Sequence, residues 1–186
     1  MAVSDTTKLA LADALKELMA ETPFQKISVV DICDRCGMNR KSFYYHFQDK
    51  YDLVNWVFYS EFVIPRRGTY YGVGWQLLSD LFNYFYDNKD FYKNAMSVEG
   101  QNSFREYFGE VFTPVAREYL KDVLPHNKYE DITTEYFVSA LLVATMTWLN
   151  SYDDISGSAF FSLVKNFIVG FSRHVVKRQD EIESRS

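Results

Sequence analysis

Cysteine, histidine and proline are scarce in this chain: 186 residues hold two Cys, three His and four Pro. Two cysteines cannot build a disulfide framework. Cys33 and Cys36 form a lone CxxC without a second pair or a clustered His, which reads as two small buried side chains rather than a zinc or redox site. No Ser/His/Asp arrangement, P-loop or glycine-rich dinucleotide motif is present. The expectation is a protein without cofactor or metal, and not an enzyme. No segment alternates apolar and polar residues, and no Asn-Gly or Asp-Gly pair marks a hairpin, so strands are not expected. Asp5, Lys8 and Asp13 break up the N-terminus before a secretory apolar stretch can form. The longest nearly apolar run, Phe137 to Leu149, is too short to span a bilayer. A cytoplasmic protein with no membrane partner is expected.

What remains is helical and rich in rings, with 16 Phe, 14 Tyr and three Trp. The net charge is −5, unevenly spread. Residues 1–67 hold nine Lys/Arg and nine Asp/Glu, so the whole deficit lies beyond them. Within the neutral part, Arg35, Arg40, Lys41 and Lys50 face only Asp49 between positions 35 and 50. A short basic face on a neutral domain suits phosphates, while an acidic remainder discourages indiscriminate binding.

The apolar stripe Leu11, Ala14, Leu15, Leu18 and Met19 predicts a first helix from about Thr6 to Glu21, ended by Thr22-Pro23. Ser28, with Asp31 three residues on, opens a short second helix in the manner of a capping box. Gly37 ends it. Asn39 caps a two-turn third helix, Arg40 to Phe47, and Asp49 caps a fourth that runs towards Ile64. Further helices are expected at Gln76–Asn88, Tyr92–Met96, Ser103–Leu124, Ile132–Tyr152 and Ser158–Gln179. All four prolines are expected at or near helix ends. The fold class is thus all-α: an N-terminal three-helix, helix-turn-helix domain (1–66, motif 28–47) and a helical effector-binding and dimerisation domain (67–186).

A short helix, a Gly-containing turn and a second short helix make a helix-turn-helix. Arg40, Lys41 and Ser42 supply polar groups at the second helix's start, and Phe43 and Phe47 its buried side. Tyr44 and Tyr45 carry hydroxyls, and Lys50 is placed to reach a phosphate. The run from Ser42 through Phe-Tyr-Tyr-His-Phe-Gln-Asp to Lys50-Tyr-Asp-Leu53 resembles the signature of the TetR family. Ile27 to Cys33 and Cys36-Gly37-Met38 match upstream. The resemblance covers about residues 8–66, and the stretch Arg40 to Trp56 is also similar to a subgroup that regulates dihydroxyacetone kinase genes. It implies a bacterial regulator binding a palindromic operator in double-stranded DNA as a homodimer. Residues matching Arg40, Lys41, Ser42 and Tyr44 then face bases or the groove, and those matching Ser28, Tyr45, His46 and Lys50 lie near phosphates. The Arg40-Lys41 pair departs from the small or apolar residue many members carry. The competing reading is a helical interaction module that has no operator binding of its own.

On the last two helices Val138, Leu141, Thr145 and Trp148, and Phe161, Val164, Ile168, Phe171 and Val175, recur at spacings of three and four. That is a helix-packing seam, expected to form the dimer interface. The rings Trp75, Phe82, Phe85, Tyr86, Phe104, Tyr107, Phe108 and Phe112 are the expected lining of an effector pocket. The effector is left open between a small molecule and a protein.

Overall fold

The computed structural model describes residues 3–68, 74–120 and 130–183, and every regular element among them is helical. Helix α1 spans Val3–Glu21, α2 Val29–Arg35, α3 Arg40–His46 and α4 Lys50–Phe58. A 3-10 turn, Phe24–Lys26, joins α1 to α2. Beyond Phe58 the helix widens into a π-helical turn, Tyr59–Val63, and closes with α5, Ile64–Arg66. Then follow α6 (Gly74–Asp87), α7 (Lys89–Ala95), α8 (Phe104–Leu120), α9 (Glu130–Ser151) and α10 (Gly157–Glu183). Part of the expected inter-domain stretch, residues 69–73, lies outside the described residues.

The caps follow the local chemistry of the chain. Ser28 and Asp31 exchange both bonds of a capping box, Asn39 accepts from the Ser42 N–H, and Asp49 accepts from Tyr51 and Asp52. Gly37 takes a positive φ of 67°, the left-handed conformation that ends α2 and that glycine adopts without steric cost. One expectation fails. Pro114 lies inside α8 rather than near its end. Pro125 falls outside the described residues.

Helices α1 to α4 close over Leu11, Leu15, Ile32, Phe43 and Leu53, each fully buried. A second, aromatic mass centres on Phe58 of α4, whose ring touches those of Phe62, Phe85, Tyr92, Phe104 and Phe112. It fills the space where α4 meets α6, α7 and α8, so the two parts share one continuous core. The π-helical turn aims Glu61 into this junction. Its carboxylate pairs with Lys16 of α1 and accepts a 3.0 Å bond from the Tyr84 hydroxyl, which is itself 2.8 Å from that of Tyr92. Burial pushes both phenols well above their ordinary pKa, so they stay protonated and serve as hydrogen-bonding groups.

Helix α9 is long and apolar enough to cross a bilayer, which the short Phe137–Leu149 run understates. Its Val138–Leu141–Thr145–Trp148 side is nonetheless buried in the chain's own core. Trp148 stacks on Phe160 of α10 at 4.4 Å and donates from Nε1 to the Ile155 carbonyl at 2.9 Å.

Gly157, at the start of α10, lies against the backbone of α6. A Cβ there would stand 2.5 Å from the Phe82 carbonyl oxygen. Gly157→Ala should therefore cost about 1–3 kcal/mol, as overpacking does. Gly109 in α8 has open space around it, and Gly109→Ala should be neutral or stabilising by up to about 1 kcal/mol. Urea unfolding of the two variants beside wild type checks both.

Candidate nucleic-acid interface

A seven-residue helix does not hold its shape alone in water. α3 is held by Phe43, which is fully buried, and by Phe47, buried just past its end against Trp56. With these rings inward, the other sides of α3 face out. Arg40 and Lys41 are exposed and Ser42 is half-buried, and Tyr44 and Tyr45 are 50% and 82% exposed. The Arg40 guanidinium lies over the Tyr44 ring, 5.7 Å from its centre, and its Nη2 is 3.5 Å from the hydroxyl. His46 is half-buried, edge-on to Tyr45 at 4.8 Å. Arg40, Lys41, Ser42, Tyr44, Tyr45 and His46 thus share one short helix, with two cations and two phenols at its surface.

The other two expected contacts are engaged within the chain. The Ser28 hydroxyl is taken up by Asp31, to which it donates at 2.7 Å. These bonds hold the Asp31 carboxyl below its ordinary pKa. A carboxyl lowered by folding adds stability above its unfolded pKa, and the gain disappears as pH falls through the folded value.

Lys50 departs furthest from the sequence reading. Its Nζ donates to the carbonyl oxygens of Phe24, Gln25 and Ile27 at 2.7, 3.2 and 2.7 Å, and sits 4.6 Å from the centre of the Phe24 ring. An ammonium has three donors, so none remains for a phosphate in this arrangement. Burial draws its pKa down, and Asp31 and Asp49 draw it back up. Arg35 is likewise committed, paired with Glu17 and Glu21 of α1. Of the four cations between positions 35 and 50, Arg40 and Lys41 are the two left on the open face.

The turn that Lys50 grips is also held from the opposite side. Asn94, on the last turn of α7, donates from Nδ2 to the Met19 and Thr22 carbonyls at 3.0 and 3.1 Å and accepts from the Phe24 N–H at 2.7 Å. A single Asn within a helix carries no motif, and the sequence reading passed over it.

The remaining expectations divide. The eight rings expected in one pocket lie in several places. Trp75 meets Phe161, while Phe82 and Tyr86 lie against Trp148. Phe85, Phe104, Phe108 and Phe112 are buried ring upon ring with Phe58, and Tyr107 touches Phe58 edge-on. The seam Val138, Leu141, Thr145 and Trp148 is buried in the chain's own core. A spacing of three and four marks a packed side without saying what packs on it. Phe161, Val164 and Ile168 are half-buried, and the side chains of Phe171 and Val175 lie outside the described residues.

A consequence of this geometry is open to direct measurement. Lys50→Met strands three carbonyls and should cost about 1–3 kcal/mol of stability, the usual penalty for unpaired buried polar groups. Chemical denaturation in the absence of DNA tests it, and a wild-type midpoint would show that the grip on the turn carries no stability.

A model of the bacterial regulatory proteins of the tetR family matches residues 11–57, and a transcriptional regulator C-terminal region model matches residues 75–170. Over 110 residues the chain is 32% identical to the HTH-type dhaKLM operon transcriptional activator DhaS of Lactococcus lactis. That match spans 58% of this chain and 57% of that protein. Among solved structures, the dihydroxyacetone kinase operon activator DhaS is similar at a TM-score of 0.62 and 25% identity, covering 88% of this chain and 94% of that one. A TetR transcriptional regulator from Streptococcus agalactiae is similar in fold, at a TM-score of 0.64 and 19% identity over 86% of this chain and 92% of its own.

Proposed function

The chain belongs to the tetR family of bacterial transcriptional regulators, and on that premise we propose that it binds an operator as a homodimer through the open face of α3. Residues 1–66 form the DNA-binding part and 67–186 the part that dimerises and receives an effector. The observation that carries this reading is the face of α3 itself: Arg40 and Lys41 exposed, Tyr44 and Tyr45 standing out, Phe43 sunk beneath them. A major groove admits one helix, guanidinium groups suit guanine edges, and phenols suit the groove wall and phosphates. This face favours autonomous operator binding over a bare interaction module. Lys50 and the Ser28 hydroxyl act here by shaping the head, leaving Arg40, Lys41, Ser42, Tyr44, Tyr45 and His46 as the contacting set. Its setting is the bacterial cytoplasm, where operators are.

The second copy docks on the outer sides of α9 and α10. Ile132, Tyr136 and Val143 of α9 and Leu163 of α10 are more than half exposed. Between positions 136 and 151 of α9 and 157 and 170 of α10 the one charged residue is Lys165, and it leans over the rings of Trp75 and Phe161. An uncharged surface of this extent on two adjacent helices is the kind that a copy of itself covers about a two-fold axis. A dimer with two heads then calls for a palindromic operator. The mutual packing of Phe85, Phe104, Phe108 and Phe112 supports an effector that acts from outside that cluster, such as a protein partner, over one enclosed among those rings.

Two measurements test the proposal. On an operator selected from random DNA, Tyr44→Ala and Arg40→Ala should each lose about 1–3 kcal/mol of specific affinity by fluorescence anisotropy; unchanged binding by both removes the assignment. In sedimentation, wild type should run as a dimer of twice the 21.8 kDa chain. Val143→Glu and Leu163→Glu should run as monomers, because a charge in the closed interface is buried unpaired.

A further inference from the structure

We propose that Asn94 is a positioning residue, through which the C-terminal helices set the placement of the DNA-reading helices by holding the turn at Phe24. The inference rests on the operator-binding reading above. The side chain of Asn94 engages three backbone groups that all belong to the head. Two are carbonyls at the end of α1, where a helix has no acceptor-satisfying N–H groups of its own left to offer. The third is the N–H of Phe24, which opens the 3-10 turn. Only an amide can do this, since it offers donors and an acceptor at one end of one side chain. The backbone of Phe24 is thus held at both its polar groups, its N–H by Asn94 and its carbonyl by Lys50.

Lys50 also holds the carbonyl of Ile27, the residue before Ser28, which caps α2. From Asn94 to the helix-turn-helix the path is therefore one short turn of backbone with fixed ends. The other end of α7 is anchored as well. Lys89, its first residue, pairs with Asp153 in the turn between α9 and α10, while at the Asn94 end Arg105 of α8 donates from Nε to the Met96 carbonyl, just past α7, at 2.6 Å. With seven residues, α7 is about 10 Å long. It is a strut tied at one end to the helix pair proposed to join the two copies, and at the other to the head. What it transmits is the distance and tilt between the two heads of a dimer, which the half-site spacing of the operator reads.

The test uses the full-length protein and an operator selected from random DNA by wild type, together with versions of it whose half-site spacing is one base pair longer or shorter. Wild type should bind the altered operators more weakly. In Asn94→Asp, a carboxylate of the same shape faces the Met19 and Thr22 carbonyls and can donate to neither. That variant should reduce the spacing penalty about fivefold or more, the scale of a typical coupling between sites, while its salt dependence stays that of wild type. Asn94→Ala, which removes the bonds without adding charge, should do the same and serves if the first variant does not fold. Gly109→Ala is the control, since a Cβ there meets open space on α8 and should leave the penalty intact. A folded Asn94 variant with the wild-type penalty overturns the inference, as does a Gly109→Ala protein that loses the penalty equally. If wild type selects no sequence at all, the operator-binding reading has failed, and the inference goes with it.

Discussion

Everything on the open face of this protein depends on a helix too short to stand by itself. Seven residues make two turns, and forming the first turn of a helix costs more than it returns. α3 exists because Phe43 is sunk to zero exposure beneath it, because Asn39 takes up the Ser42 N–H at its start, and because Phe47 closes it against Trp56. The exposed tyrosines and cations take no buried place in that arrangement. Stability comes from the inward side and chemistry from the outward side, so the outer residues are free to differ without unfolding the helix. The Arg40-Lys41 pair is a case of that freedom.

The two parts of the molecule are joined by groups of opposite character. Phe58 brings ring on ring with α6, α7 and α8, an apolar contact that is large and largely indifferent to direction. Asn94 and Glu61 add hydrogen bonds between the parts, which are directional. The rings keep the parts together, and the polar contacts choose one orientation among those the rings would tolerate.

Local chemistry was legible in the sequence and long-range chemistry was not. Ser28, Asp31, Gly37, Asn39 and Asp49 announce helix ends because a cap acts within three residues of itself. The head's helices therefore fell close to their expected bounds. Which side of α9 turns inward was not legible, for a physical reason. The helix is apolar nearly all round, so several sets of residues three and four apart can each be drawn as the seam, and the pattern alone does not say which turns inward. Lys50 illustrates a different limit. Its position beside the reading helix was legible, but a long side chain can swing either to solvent or back over its own backbone, and that choice depends on where the Phe24 turn lies. Asn94 and the π-helical turn left no trace in composition or spacing. The first acts on groups some seventy positions away, at Phe24, and the second, Tyr59 to Val63, holds neither the Gly nor the Pro that would mark an irregularity.

That π-helical turn can be regarded as a dislocation in an otherwise regular lattice. One additional residue is absorbed between Tyr59 and Val63, and the helix resumes its ordinary pitch on either side. Each residue of an α-helix turns the next by about 100°. The insertion lets Phe58 and Phe62 stack on each other while Glu61 comes round to Lys16 and Tyr84. Such a defect is accommodated locally, within one turn of the helix. Removing one residue there would heal the helix and turn the residues just beyond it, Arg66 included, away from their present neighbours, among them Asp80. The irregular stretch is thus where this chain's length and its three-dimensional register are reconciled.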